Sequence, residues 1–306
     1  MMNLSNKEEL IQYLKSHGLW AKKSFGQNFL VDEVALDKIV EAADLKSDDI
    51  VIEVGPGAGT LTERLVGGAK KVIAVELDCD LAELLVNKFS IINFQLSNND
   101  QLNNSSINKL NDHWNLKLDH SELEIVQSDI LKLNIPDLVG DKSYKVVANI
   151  PYYITSKIIN SFLTAENKPE QIILLVQKEV AERITAKPGD LSILSISVQI
   201  YGSPEIAGIV RADSFFPAPK VDSAILKISD IHPWDLSVSE KDLFRLVKIA
   251  FASKRKTLMN NLSAGYHLDK EKIASIIKEI GLGPNARAQD LSIKEWEALC
   301  QKMTAF

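Results

Sequence analysis

Tyr144-Lys145-Val146-Val147-Ala148-Asn149-Ile150-Pro151-Tyr152-Tyr153 is an apolar run that stops at a proline. Its first half has the composition of a buried parallel strand. Pro151 has no N–H to give a ladder, so the strand must end before it. An amide, a free carbonyl and two aromatic rings then fall at the carboxyl edge of a sheet, the edge at which open α/β sheets bind ligands. An amide oxygen and a carbonyl together accept both hydrogens of an exocyclic amine, and a ring stacks on the attached base. The plainer alternative is a strand end with a tyrosine packed on the core. The remainder of the chain decides between the two.

Upstream, residues 5–16 have amphipathic helical spacing, and residues 32–43 repeat it with Asp32 as N-cap. Between them, Lys22-Lys23-Ser24-Phe25-Gly26-Gln27-Asn28-Phe29-Leu30 fits neither period and is expected to be a loop folded back on the body. Ile50-Val51-Ile52-Glu53-Val54 reads as a buried strand running into Gly55-Pro56-Gly57-Ala58-Gly59-Thr60 and a helix over 61–66. A second strand over 72–75 ends at Glu76, and a helix over 81–89 follows. This β-α-β-α order opens a doubly wound sheet.

Residues 93–121 are polar and low in complexity and are expected to form an inserted surface loop, with a helical turn near Trp114. A third strand over 124–127 ends at Ser128-Asp129. Beyond Tyr153 come a helix over 156–163, a strand over 172–176, and helices over 178–187 and 191–201. Residues 206–210 and 221–228 then form a closing hairpin through Phe215-Phe216-Pro217-Ala218-Pro219. Past His232-Pro233 the strands stop and four helical periods follow. A domain boundary is therefore expected near 233, dividing 1–233 from a small helical domain over 234–306.

The 306 residues carry a net charge of −6, which argues weakly against a nucleic-acid partner. The distribution argues for one. Residues 1–140 hold 13 Lys and Arg against 22 Asp and Glu, whereas 141–306 hold 22 against 19. Residues 241–256 contain six basic side chains and one acid. A local basic face matters more than net charge for phosphate contact. Two distant cysteines without metal spacing are expected to be free, buried thiols in a reducing cytoplasm. Residues 1–30 lack the apolar core of a signal peptide, and no run has transmembrane length.

Glycines after a first strand let a backbone approach a nucleoside, with helix N–H groups nearby. The spacing is G-x-G-x-G rather than the G-x-G-x-x-G of dinucleotide sites, and Pro56 removes an N–H that a pyrophosphate would use. Glu76 is placed to accept both ribose hydroxyls, and Asp129 to accept from an adenine amine. Two acids and no phosphate-binding lysine favour S-adenosylmethionine over NAD.

The ordered set of these pieces resembles the ribosomal RNA small-subunit adenine dimethyltransferases, the kasugamycin-sensitivity family. The matching runs are Ser24-Phe25-Gly26-Gln27-Asn28-Phe29-Leu30, Glu53-Val54-Gly55-Pro56-Gly57, Asn149-Ile150-Pro151-Tyr152-Tyr153, Gln177-Lys178-Glu179-Val180, residues 215–223 (FFPAPKVDS) and Arg255-Lys256-Thr257-Leu258. The resemblance implies a Rossmann-like class I S-adenosylmethionine-dependent methyltransferase sheet with a small all-helical C-terminal domain. It implies that Asn28, Leu30, Gly55, Glu76, Asp129 and Asn149 line the cofactor site, to which the spacing adds Gly57. Asn149, with the Ile150 or Pro151 carbonyl, would hold the adenine amine, and Tyr152 and Phe215 would sandwich the base. Lys254, Arg255 and Lys256 would bind RNA. The implied substrate is small-subunit rRNA in 30S particles, dimethylated at the N6 amines of two adjacent adenosines near its 3′ end. A cytoplasmic monomer needing neither metal nor membrane is expected. The alternatives are the related large-subunit enzyme of macrolide resistance and a non-catalytic ribosome-assembly factor. Two departures stand out: the long 93–121 segment and a shortened segment after Gly189.

Overall fold

The computed structural model describes residues 2–22, 25–97, 108–110, 113–118 and 121–304. In chain order, α1 (Lys7–Ser16), β1 (Phe29–Leu30) and α2 (Glu33–Ala43) come first. Then follow β2 (Ile50–Val54), α3 (Thr60–Gly68), β3 (Lys71–Glu76), α4 (Cys79–Ser97), β4 (Asn108–Leu110), β5 (His113–Lys117) and β6 (Glu122–Gln127). Next are α5 (Ile135–Val139), β7 (Lys145–Asn149), α6 (Thr155–Leu163), β8 (Gln171–Gln177), α7 (Lys178–Ile184), α8 (Ile193–Gln199), β9 (Ser203–Val210), β10 (Phe215–Phe216) and β11 (Ser223–Ser229). The chain closes with α9 (Glu240–Ala250), α10 (Leu258–Tyr266), α11 (Lys270–Glu279) and α12 (Ile293–Met303).

Among the described residues the main sheet has nine strands in the order β4-β5-β6-β3-β2-β7-β8-β11-β9. Its centre, β6-β3-β2-β7-β8, is parallel throughout. The strand order reverses between β2 and β7, which is where such a sheet opens a crevice at its carboxyl ends. All five residues of β2 are buried, as a strand covered on both faces requires. Leu36 and Ile39 of α2, Leu65 of α3, and Leu85 and Phe89 of α4 pack with Val51, Val72, Ile125 and Ile173 of the sheet. Each such side chain contributes about 1.5–3 kcal/mol through burial. The Asp32 side chain accepts from Ala35 N–H (3.1 Å), so α2 starts where its cap predicts.

Two expectations need correction. The segment 93–121 is not a surface loop with a helical turn: α4 runs on to Ser97, and β4 and β5 extend the sheet beyond β6. Trp114 lies opposite Ile125 in that pairing and is 8 % exposed, within the core. An aromatic anchor and the alternation of Trp114 and Leu116 outweigh the polar composition around them. Residues 98–107 lie outside the described part. The second correction concerns the loop over 22–30. Its end, β1, pairs antiparallel with β10, with Phe29 opposite Phe216 and Leu30 opposite Phe215.

The chain forms two compact units, residues 1–181 with 205–231, and residues 182–204 with 232–306. It therefore passes between units three times, and the expected cut near 233 lies at the last of these. The stretch 182–204 goes with the helical unit because its backbone is tied there: Gly189 and Leu191 N–H donate to the Gln289 carbonyl (2.9 and 3.2 Å). Within that unit Trp296 is fully buried and stacks on Phe251, with ring centroids 6.0 Å apart. No helix among the described residues is long and apolar enough to cross a membrane.

Candidate active site

A pocket opens at the carboxyl ends of β2, β3, β6 and β7, covered on one side by residues 25–30. Gly55, Gly57, Glu76, Asp129 and Asn149 line it together, with Asn28 and Leu30 from the N-terminal segment. Six residues implied as cofactor contacts, and Gly57 besides, thus meet in one cavity from positions 121 residues apart.

The glycine turn is shaped by backbone need. Gly57 has φ +60°, and a Cβ there would stand 3.1 Å from the Phe29 ring. Only glycine meets both conditions without strain. Gly59, also left-handed, begins α3. The Lys88 ammonium donates to the Ala58 and Gly59 carbonyls (3.3 and 3.0 Å) and to Glu63 (3.2 Å), pinning the end of the turn. Burial holds the Lys88 pKa below its ordinary value.

Glu76 is 6 % exposed. One carboxylate oxygen accepts from Gly57 N–H (3.0 Å) and the other from Asp78 N–H (2.9 Å). Burial raises its pKa, and these N–H groups oppose the rise. Each oxygen keeps a second acceptor position, which suits a vicinal diol. Asp129 is half-buried and spends one oxygen on Leu131 N–H (3.1 Å), capping the turn after β6.

Asn149 closes β7. Its amide NH₂ donates to the Asn28 carbonyl (3.1 Å), and the Asn28 amide donates to the Gly26 carbonyl (3.1 Å). That bond uses one of the two amide hydrogens and fixes the side chain, whose oxygen is an acceptor that Asn149 can offer to the pocket. Pro151 follows at φ −59°, and its carbonyl accepts from Ile154 N–H (3.2 Å), starting a turn over Tyr152–Ile154. Tyr152 lines the pocket half-buried, its hydroxyl 2.7 Å from the Ser223 hydroxyl. Tyr153 also borders the pocket and is 63 % exposed.

The comparisons with known proteins follow this geometry. The family model described as ribosomal RNA adenine dimethylase matches residues 18–304. The chain belongs to the ribosomal RNA adenine dimethylase family. Among curated relatives, the ribosomal RNA small subunit methyltransferase A of Dehalococcoides mccartyi (strain CBDB1) is 41 % identical over 291 residues, covering 94 % of this chain and 90 % of that protein. The enzyme of the same name from Clostridioides difficile (strain 630) is 36 % identical, over 98 % of this chain and 96 % of that one. Of solved structures, a dimethyladenosine transferase from Plasmodium falciparum superposes with a TM-score of 0.69 at 26 % identity, covering 90 % of this chain and 98 % of that one. The 23S rRNA methyltransferase ErmE gives 0.66 at 25 %, covering 90 % and 100 %. The Rossmann-like methyltransferase sheet and the C-terminal helices α9–α12 are those of this dimethylase family.

The adenine dimethylase reading meets one disagreement with the structure. Phe215 does not line the pocket. It is 1 % exposed, paired with Leu30 and packed in the core with Leu36 and Ile225, because the β1–β10 ribbon turns its ring inward. The base sandwich expected of Tyr152 and Phe215 is therefore absent from this arrangement. The basic residues Lys254, Arg255 and Lys256 are exposed on the turn between α9 and α10. That turn is fixed by the buried Asn261, whose amide donates to the Ala250 and Ser253 carbonyls (2.6 and 3.0 Å). Lys254 and Lys256 border a concavity that Arg183 and Arg287 also line. Those two arginines lie far away in sequence, and no local run marks them. Glu53 is the other residue missed. Its signal was an acid inside a buried strand.

Proposed function

We propose that this chain transfers methyl groups from S-adenosylmethionine to the N6 amines of two adjacent adenosines in small-subunit rRNA, as a step in 30S biogenesis. The observation that carries the reading is the Asn149 amide, anchored through its NH₂ so that an oxygen acceptor faces the pocket. Relatives named for the small subunit at 36–41 % identity support that substrate over the large-subunit alternative.

The pocket fits the cofactor. Glu76 keeps acceptor positions for the ribose hydroxyls, Asp129 one for the adenine amine, and Gly55 and Gly57 let backbone approach. Asn28 and Leu30 complete the wall. When bound, the cofactor supplies an electrophilic sulfonium methyl, so neither metal nor covalent enzyme intermediate enters the scheme. The remaining work falls to the protein. An adenine amine is a poor nucleophile because its lone pair is delocalised into the ring. The Asn149 oxygen accepts one amine hydrogen and a carbonyl of Ile150 or Pro151 accepts the other, turning the lone pair out of conjugation and supporting the positive charge that develops. Tyr152 offers one face for stacking, worth about 1–3 kcal/mol against the cost of unstacking the base. After one transfer a single hydrogen remains to be held, so Asn149 or the carbonyl suffices for the second.

RNA docking is assigned to the unit containing 232–306, through Lys254, Arg255 and Lys256, extended by Arg183 and Arg287. The test is transfer of labelled methyl to 30S particles from a strain lacking the endogenous dimethylase, with the modified positions mapped. Two adjacent dimethyladenosines in small-subunit rRNA are expected. No label in 30S particles would reject the reading, in favour of the large-subunit enzyme if free large-subunit rRNA offered in parallel takes the label, and of an assembly factor without turnover if neither does.

A further inference from the structure

Two of the sequence runs quoted above have no task in this scheme: Gln177-Lys178-Glu179-Val180, and the Asp222-Ser223 end of the run over 215–223. In the folded chain they meet. Ser223, the first residue of β11, pairs antiparallel with Gln177, the last residue of β8. Beside that pair the Lys178 N–H donates to the Asp222 carbonyl (3.0 Å), and the Asp222 carboxylate accepts from Ala212 N–H (3.0 Å). The start of β11 is thus tied on two sides.

That junction holds a pocket side chain. Ser223 is 0 % exposed, and its hydroxyl lies 2.7 Å from the Tyr152 hydroxyl, a hydrogen bond that either can donate. The other end of Tyr152 is fixed as well: its carbonyl accepts from the hydroxyl of the buried Thr155 (3.0 Å). Burial raises the pKa of the Tyr152 phenol above its ordinary value, so the bond joins two neutral hydroxyls. The residue is pinned at its backbone and at its ring tip, and the ring between them lines the pocket.

Geometry decides what the Ser223 bond can do. A phenol oxygen lies on the axis of ring rotation, so holding it does not set the plane of the ring. It sets where that axis points, and so confines the side chain to one χ1 well among the staggered ones. A stacked base carries its amine with it, and the amine must meet the methyl within a narrow range of distance and angle. Asn149 and Tyr152 stand on one short turn after β7, so the backbone already relates the acceptor to the stacking residue. Only the far end of the ring needs support from elsewhere.

We infer that Ser223 is a positioning residue for base stacking: its hydroxyl, fixed by the β8–β11 junction, holds the Tyr152 ring tip so that the ring meets the target adenine at one angle. The inference rests on the stacking role proposed for Tyr152. It gives the run over 215–223 a function through its last residue, whereas its first, Phe215, is packed in the core.

The test is a double-mutant cycle in the full-length protein, with Ser223→Ala, Tyr152→Phe and both together. Each single variant deletes one hydroxyl of the same bond and keeps the ring. Tyr152→Phe does so without touching β11, which keeps the test open if Ser223→Ala disturbs that strand. Single-turnover methylation of 30S particles lacking the modification, at saturating cofactor and particles, should slow by about three- to tenfold in either. The double variant should be no slower than the slower single one. The particle concentration giving half the maximal rate should stay at the wild-type value, and Ser223→Ala should bind S-adenosylmethionine as wild type does in calorimetry. A wild-type rate in either single variant, or penalties that multiply in the double one, overturns the inference. So does a rise in the half-saturating particle concentration at an unchanged maximal rate, which would place Ser223 in docking. A loss of cofactor affinity in Ser223→Ala that matches its loss of rate also overturns it, since the residue would then shape the cofactor wall. No methyl transfer by wild type would instead reject the proposed function.

Discussion

Glu76 and Lys256 are both charged residues at the edge of a secondary element, and they are set in opposite surroundings. Glu76 is 6 % exposed, with both oxygens held by backbone N–H groups before any ligand arrives. Lys256 stands in solvent beside Lys254 and Arg255. Its backbone is fixed, through Lys256 N–H to the Ser253 carbonyl (3.1 Å), while its side chain is exposed. A pocket for a small cofactor needs polar groups aimed in advance, because each must meet one atom in a dry site. A surface for a polyanion needs charge density and tolerance, because phosphates are many and the gain comes from counterion release. The basic turn follows the second design and the strand-end pocket the first.

The contrast is sharpened by breaking each side. Asn149→Ala should have the largest effect. It removes the oriented acceptor, and single-turnover methylation of 30S particles at saturating cofactor should slow by roughly a hundredfold or more. RNA affinity should stay nearly constant, since the basic turn proposed to supply it is untouched. A rate within about threefold of wild type would mean that the preset amide is only a strand end. Glu76→Ala should come next, weakening cofactor binding by about 1.5–3 kcal/mol in calorimetry. Unchanged affinity would place the ribose elsewhere.

On the exposed side, replacing Lys254, Arg255 and Lys256 together by Gln should leave cofactor affinity alone and flatten the salt dependence of particle binding. The slope of log affinity against log salt should fall by about 2–3 if each residue neutralises one phosphate. An unaltered slope would remove this turn from the interface. The smallest effect is expected at a mixed case. Lys22 donates to Asp78 and Asp80 (both 2.8 Å) and so ties the N-terminal cover to the turn after Glu76, but it is 38 % exposed. Lys22→Met should speed cofactor dissociation by only a few-fold, on the scale of about 0.2–1 kcal/mol for an exposed pair. The difference from wild type should vanish at high salt. A loss of tenfold or more would show that the latch belongs with the buried design.

The pocket was largely legible because its residues sit where strands must end. Pro151 stops β7 after Asn149, and glycines follow β2, so period and punctuation locate both without any contact being known. Phe215 was not legible in this way. Whether its ring faces the cavity or the core depends on the pairing of β10 with β1, two residues each, too short to leave a pattern. The β4–β5 extension was hidden for a related reason. Its neighbours are polar, and one buried Trp114 with Leu116 carries the information. Arg183 and Arg287 were invisible because only the folded chain brings them to one concavity.

The hydrogen bond from the Asn149 amide to the Asn28 carbonyl also bears on errors. An amide held through its NH₂ in this way has its oxygen available as an acceptor for the edge of an incoming base. An adenosine that has lost its amine by deamination carries an oxygen at that edge, and would set acceptor against acceptor. A site built around one hydrogen bond rejects an analogue that leaves its polar group unpaired far more strongly than it rejects a change of size. In the role proposed for it, the anchored side chain would therefore select against the deaminated base. The backbone it leans on belongs to the N-terminal segment that lines the pocket, so residues 121 positions apart set this acceptor together.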